Sequence, residues 1–234
     1  MLYDLHLHSA LSPCADNNMT PSTIVGMASL NGLEVIAITD HNSAKNLPAA
    51  KKAADYYNIK LLPGIEVCTA EEVHLLCYFP TIEIALEFSD IIYESLPNIP
   101  VDTSIWGEQL IMNEEDEVIG KMDKLLTLAS GFDIYEITKM TENLSGIAVP
   151  AHIDKETNSL LSIMGFMPHD LNFKVVELMD SSKYPSYVEK GLLPNGLSIV
   201  TSSDAHSIEQ LLAAGPHTLD SSNPIYTYIK NIYR

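Results

Sequence analysis

Short apolar runs alternate along this chain with stretches whose apolar residues recur at helical spacing. Leu2–Leu7 reads as a strand. Thr20 and Pro21 then read as an N-cap followed by proline in the first helical position, and Gly32 stops that helix. Val35–Thr39 has the continuous apolar character of a buried strand, and Pro48–Tyr57 is the next helix. Lys60–Leu62, Ile65–Thr69 and Val73–Tyr78 are three further strand candidates. Thr81–Leu96 is helical, with Ile84, Leu86, Phe88, Ile91, Ile92 and Leu96 as its apolar positions. The alternation loosens after Pro97, through a proline-rich stretch and the acidic run Asn113-Glu114-Glu115-Asp116-Glu117, so residues 97–130 read as an insertion or lid. It resumes with a helix over Ile134–Asn143, capped by Gly146, strands at Ile147–Ile153, Val175–Leu178 and Leu197–Thr201, and a closing helix at Pro224–Tyr233. Strand–helix alternation of this kind predicts an α/β fold built on a mostly parallel sheet or barrel. No fixed-period repeat interrupts it.

Composition narrows the picture. At 234 residues and 46 % hydrophobic, the chain suits one domain, residues 1–234, with a sizeable core. Its formal net charge of -18, from 13 Lys+Arg against 31 Asp+Glu, repels phosphate polymers, so long nucleic acid is an unlikely partner. Bound metal ions would reverse that field locally, and a short nucleotide needs few contacts. Cys14, Cys68 and Cys77 form no CxxC pair and fit reduced thiols. The opening MLYDLHLHS lacks a charged and apolar leader, and no apolar run is long enough to span a membrane, so the expectation is a soluble, cytoplasmic protein with no membrane partner.

The chemistry lies in where the histidines fall. Of the 8, six sit at or beside the ends of predicted strands: His6, His8, His41, His74, His152 and His206. Barrel enzymes place their reactive groups at the C-terminal strand ends. In Asp4-x-His6-x-His8 the period of two puts all three side chains on one face, with Asp4 placed to orient an imidazole. Ile36-Ala37-Ile38-Thr39 ends in Asp40-His41, and Ala148-Val149-Pro150-Ala151 ends in His152. Leu197–Thr201 leads to Asp204-x-His206. Glu66 stands alone inside the apolar run Pro63-Gly64-Ile65-Glu66-Val67, where an unpaired carboxylate costs several kcal/mol and calls for a cation. His74 opens another apolar run. Histidines and carboxylates without a cysteine pair suit two or three divalent ions, Mn, Fe or Zn, which can activate water and clamp a phosphoryl group.

These segments, Asp4-Leu5-His6-Leu7-His8-Ser9, Thr39-Asp40-His41-Asn42, Pro150-Ala151-His152 and Ser203-Asp204-Ala205-His206, resemble the four motifs of the PHP family, the polymerase and histidinol phosphatase superfamily. The resemblance implies a distorted (β/α)7 TIM-like barrel with a di- or trinuclear site. One ion would take His6, His8, Glu66 and Asp204, and a second Glu66, His74 and His152. A third would take His41, His206 and a ligand from the loop after His8. Asp16 is the expected loop ligand, with Cys14 as the alternative. Lys155, and with it Lys45, would meet a substrate phosphate. His169 and His217 read as surface or structural. Trp106, in the insertion, either packs or stacks on a base. The resemblance implies a metal-dependent phosphoric ester hydrolase acting on a small phosphomonoester or nucleotide. A metal-bridging hydroxide would attack, Glu66 and Asp204 would hold the ions, and His206 would assist the leaving group. The alternatives are a short-oligonucleotide exonuclease, hydrolysis of a C–N or carboxylic ester bond, and a non-catalytic metal-binding regulatory module. The sequence leaves the oligomeric state open.

Overall fold

A computed structural model describes residues 1–233. Helix starts follow local chemistry: Thr20 accepts a hydrogen bond from Thr23 N ahead of the helix Pro21–Leu30, and Asp133 and Glu136 form a capping box on Ile134–Asn143. The strands are β1 (Leu2–Leu7), β2 (Val35–Ile38), β3 (Lys60–Leu61), β4 (Gly64–Cys68), β5 (His74–Tyr78), β6 (Leu110–Met112), β7 (Val118–Lys121), β8 (Ile147–Pro150), β9 (Val175–Glu177), β10 (Ser198–Val200) and β11 (His217–Thr218). Among the described residues they form four hydrogen-bonded sheets, in the orders β11-β1-β2-β3, β4-β5-β8, β9-β10 and β6-β7.

The fold is mixed α/β, but no continuous closed ladder of a (β/α)7 barrel is formed among the described residues. The first three sheets meet only at seams: a bridge between Leu7 and Ala205, another between His41 and Glu66, and the bond from Ile153 N to Glu177 O at 2.9 Å. The expectation of a mostly parallel sheet needs correction. β1–β2–β3 and β9–β10 are parallel, whereas β4, β5 and β8 run antiparallel. The five residues Thr69–Val73 between β4 and β5 are too short for a crossover and make a hairpin connection.

One apolar cluster packs strand residues Ile36, Ile38, Ile65 and Val67 with Ile24, Leu47, Phe88 and Ile137 of the helices. A second gathers Tyr3, Leu5, Val35, Leu76, Tyr78, Val149 and Val175 with Ile225 and Ile229 of the helix Pro224–Ile232. Residues 97–130 hold a short helix, Thr103–Trp106, and the β6–β7 hairpin. β6 is tied to the loop after β1 by Leu110 N to Ala10 O at 2.8 Å, and to Asn46 by Met112 N to Asn46 Oδ1 at 2.9 Å. Gly146 does not cap the preceding helix: Leu144 does, and Ser145 takes the left-handed turn (φ 60°). Gly146 is needed for close approach, since a Cβ there would stand 2.5 Å from Tyr78 O. Among the described residues no helix is long and apolar enough to cross a membrane.

Candidate metal centre

The strand ends bring His6, His8, His41, Glu66, His74, His152, Asp204 and His206 together. Glu66, 1 % exposed in the middle of β4, is the hub. Its Oε1 lies 2.9 Å from His74 Nδ1, 3.1 Å from His152 Nε2 and 3.3 Å from His6 Nε2. Its Oε2 lies 2.9 Å from His41 Nδ1 and 3.4 Å from His8 Nε2. Asp204 Oδ1 stands 3.3 Å from His6 Nε2 and 3.1 Å from His8 Nε2. Two of these residues, His152 (φ 28°) and Asp204 (φ 51°), adopt left-handed backbone that non-glycine residues avoid, so the surrounding contacts hold strained turns at the site.

Buried partners fix which ring nitrogens face inward. Glu177 Oε2 can only accept, so His6 donates to it from Nδ1 (2.9 Å), and in its neutral form the ring offers the Nε2 lone pair to the centre. Ser12 Oγ donates to Asp40 Oδ1 (2.7 Å) and therefore accepts from His8 Nδ1 (3.0 Å), which frees His8 Nε2 in the same way. With both rings neutral, two imidazole acceptors face each other at 3.1 Å beside two carboxylates. Such a convergence of acceptors needs a shared positive charge. Tetrahedral ligands at about 2.0–2.1 Å from an ion stand roughly 3.3 Å apart. The spacings among His6, His8, Glu66 and Asp204 run from 3.1 to 3.4 Å, so the donor set fits a divalent ion. Ring nitrogens of His8, His41 and His206 also lie within 4.8 Å of one another, as do donor atoms of His41, Glu66 and His74.

The electrostatics reflect the same crowding. Burial works to raise the Glu66 carboxyl, yet the charges of His74, His6 and His41 and a hydrogen bond from His152 hold it well below the usual carboxylate range. Asp204 is held low against burial by His6 and His8. Burial opposes charge on His6, but Asp204, Glu177 and Glu66 raise it well above the ordinary imidazole value. His8 is pushed well below it by burial and by His206 and His41.

Several expectations change. Asp16 is exposed and makes no side-chain hydrogen bond or ion pair among the described residues, so the structure does not bring it to the centre. Cys14 is exposed too and joins none of the metal-capable groups among the described residues; the imidazoles nearest its thiol are His206 and His41. Burial alone would raise the thiol, but these two bring it down to about 6. Lys45 pairs with Asp90 at 2.6 Å, outside the recess lined by His41, Glu66, His74, His152, Lys155 and Asp204, because its carbon chain runs toward the helix Ile82–Ser95. Lys155 does line that recess, of about 120 Å³, and pairs with Asp204 Oδ2. A larger cleft of about 520 Å³ beside Glu34, Asp55 and Lys60 holds none of this chemistry. Asp4 does not orient an imidazole. The β1–β2 register shifts between Asp4 and Leu7, and Asp4 Oδ1 accepts from the backbone of His6 and Ser203. Glu177 orients His6, and the sequence reading passed over it. Its signal was there: a lone glutamate closing the apolar run Val175-Val176-Glu177-Leu178, the same signature that marked Glu66. His169 and His217 stand apart from the cluster.

Known proteins bear on this geometry. Among curated proteins, a 5'-3' exoribonuclease of Salmonella typhimurium is 36 % identical over 76 residues, 32 % of this chain and 25 % of the relative. A phosphoribosyl 1,2-cyclic phosphate 1,2-diphosphodiesterase of Eggerthella lenta is 31 % identical over 81 residues, 32 % of this chain and 30 % of that protein. The chain thus spans about a quarter of the length of the first curated relatives it matches. In fold it is similar to an amidohydrolase from Chromobacterium violaceum, with TM-score 0.64 and 18 % identity, covering 98 % of this chain and 96 % of that one. It is also similar to a lesion-specific endonuclease from Pyrococcus furiosus, with TM-score 0.60 and 21 % identity, covering 88 % and 48 %. A family model of the PHP domain matches residues 4–153, well over half of the sequence and the stretch that supplies six of the eight clustered side chains, and the chain belongs to that family.

Proposed function

We propose that this protein is a metal-dependent phosphoesterase that releases phosphate from a small phosphomonoester or from the terminal phosphate of a nucleotide. The observation that carries the reading is the single buried carboxylate, Glu66, shared by five imidazoles at the floor of a recess with one cationic side chain, Lys155, on its wall. Divalent ions held by His6, His8, Glu66 and Asp204, and by His74 and His152, would polarise a phosphoryl group and acidify water. Glu177 and the Ser12–Asp40 pair hold His6 and His8 in the tautomers that ligation requires. Lys155 would leave Asp204 for a phosphate oxygen. His206 donates from Nδ1 to Asp204 O at 2.8 Å, which keeps its Nε2 free at the half-buried rim for an ion or a leaving oxygen.

The curated relatives' names keep an exonuclease in view as the second reading. The recess of about 120 Å³ favours a phosphate terminus over a bound strand, and the net charge of -18 disfavours long polyanions. The test is a panel at matched salt: mononucleotides, p-nitrophenyl phosphate, a cyclic phosphate, and short and long single strands. Hydrolysis of small phosphoesters that chelator abolishes is the expected outcome. A clear preference for long strands over every small phosphoester would make the nuclease reading the better one.

A further inference from the structure

Asn42, the residue after His41, is fully buried and takes a left-handed backbone (φ 49°). Asparagine is among the few side chains that tolerate this conformation. Its amide makes hydrogen bonds in two directions. Oδ1 accepts from Cys68 N at 3.1 Å, on the strand that carries Glu66. Nδ2 donates to Leu126 O at 2.7 Å and to Leu128 O at 2.9 Å, near the end of residues 97–130. Both of those partners are carbonyls, which fixes the orientation of the amide. Asn42 N adds a bond to Glu66 O at 2.8 Å. One residue therefore ties the turn after His41 both to β4 and to the insertion.

The insertion is itself held at that point. Buried Gln109 accepts from Leu126 N at 2.8 Å through Oε1, and through Nε2 donates to Met122 O (3.2 Å) and Lys124 O (2.9 Å). The Leu126 side chain packs in a cluster with Leu11, Leu96 and Met122. His41, on the other side of Asn42, belongs to two of the three groups able to hold an ion among the described residues: one with His8 and His206, the other with Glu66 and His74. Its Nδ1 stands 2.9 Å from Glu66 Oε2. A ligand must be held within about 0.5 Å of its productive geometry, and a loop residue meets that demand only when its supporting bonds are fixed.

We propose that Asn42 is a positioning residue through which the insertion sets the place of His41, so that residues 97–130 brace the ion positions that His41 serves. The ion between His6, His8, Glu66 and Asp204 needs no such brace, because Glu177 and the Ser12–Asp40 pair already orient its imidazoles. The proposal rests on the metal-centre reading above but not on the reaction assigned to it.

The test is the Zn(II) affinity of folded protein, measured by competition with a chromophoric chelator. Asn42→Gly keeps the left-handed turn but leaves Leu126 O, Leu128 O and Cys68 N without their partner. It should weaken the ions that use His41 by about 10–100-fold, the loss typical of removing an outer-shell partner, and leave one ion at wild-type affinity. Gln109→Ala, which touches no ligand, should weaken the same ions, and the double variant should lose less than the two single losses combined. Gln109→Ala also keeps the test open if Asn42→Gly does not fold. Ile229→Val, in the helix Pro224–Ile232, is the folding control and should leave every affinity unchanged. Wild-type affinity in either folded variant, equal weakening of every ion, strictly additive losses, or a loss in the control would each overturn the proposal. The expected pattern in a protein that hydrolyses no phosphoester would overturn the proposed function and leave this inference standing.

Discussion

Replacing Glu177 with glutamine tests the architecture at the point where one buried carboxylate serves two ligands. Glu177 Oε2 accepts from His6 Nδ1 and from His152 N, both at 2.9 Å, while Oε1 is buried without a partner. In Glu177→Gln the amide oxygen can keep both bonds, so the ring of His6 stays oriented. Two things are lost. The bond to His6 is no longer charge-assisted, worth about 1 kcal/mol, and a buried amide NH2 stands where Oε1 has no donor or acceptor to meet, costing about 1–3 kcal/mol. The metal-free protein should therefore lose about 2–4 kcal/mol of stability, read as a lower urea midpoint with an unchanged slope. Removing such an orienting carboxylate typically weakens metal binding by about 10–100-fold, and that loss is expected here. Glu177→Ala should be worse on both counts, because it leaves His6 Nδ1 and His152 N unpaired. Competition titration against a chromophoric chelator, at urea-free conditions where the variant is folded, separates affinity from folding. Wild-type affinity in folded Glu177→Gln would refute the reasoning and place the control of His6 elsewhere.

Lys155→Ala should raise KM for a phosphomonoester by about threefold to tenfold with kcat little changed. The modest size follows from a side chain 39 % exposed and screened by solvent, and initial-rate kinetics decide it. An unchanged KM with lowered kcat would mean that Lys155 serves Asp204 rather than substrate. Gly107→Ala should cost at least about 1–3 kcal/mol, since φ 86° and ψ -177° lie in a region open essentially to glycine and the new Cβ meets Pro13 O. Thermal or urea unfolding reads the loss.

Much of the centre was legible in the sequence, because burial makes polarity conspicuous. A strand that runs Ile36-Ala37-Ile38 into Asp40-His41, or a glutamate alone between Ile65 and Val67, places expensive groups where only partners or cations can stabilise them. The two-residue period was enough to pair His6 with His8, and Thr20 followed by Pro21 marked the start of the first helix. The same rule, applied to Val175-Val176-Glu177, would have found the carboxylate that orients His6.

What the chain alone left undecided depends on contacts between residues far apart. Periodicity is the same for a strand in either direction, so the antiparallel run of β4, β5 and β8 emerged only from pairing, with the short Thr69–Val73 connection as its one local clue. Asp4 and His6 are two apart, yet a register shift turned Asp4 toward Ser203 N. Lys45 could reach several surfaces, and the helix Ile82–Ser95 offered Asp90. Between Cys14 and Asp16 the resemblance favoured the carboxylate. The closed turn, pinned by Ser12 to His8 and His41 and by Asp16 N to His206, leaves both side chains exposed. Residue type and spacing determine which groups need a partner. Long-range packing determines which partner each one reaches, because loop direction is set by the sum of distant hydrogen bonds rather than by any local preference.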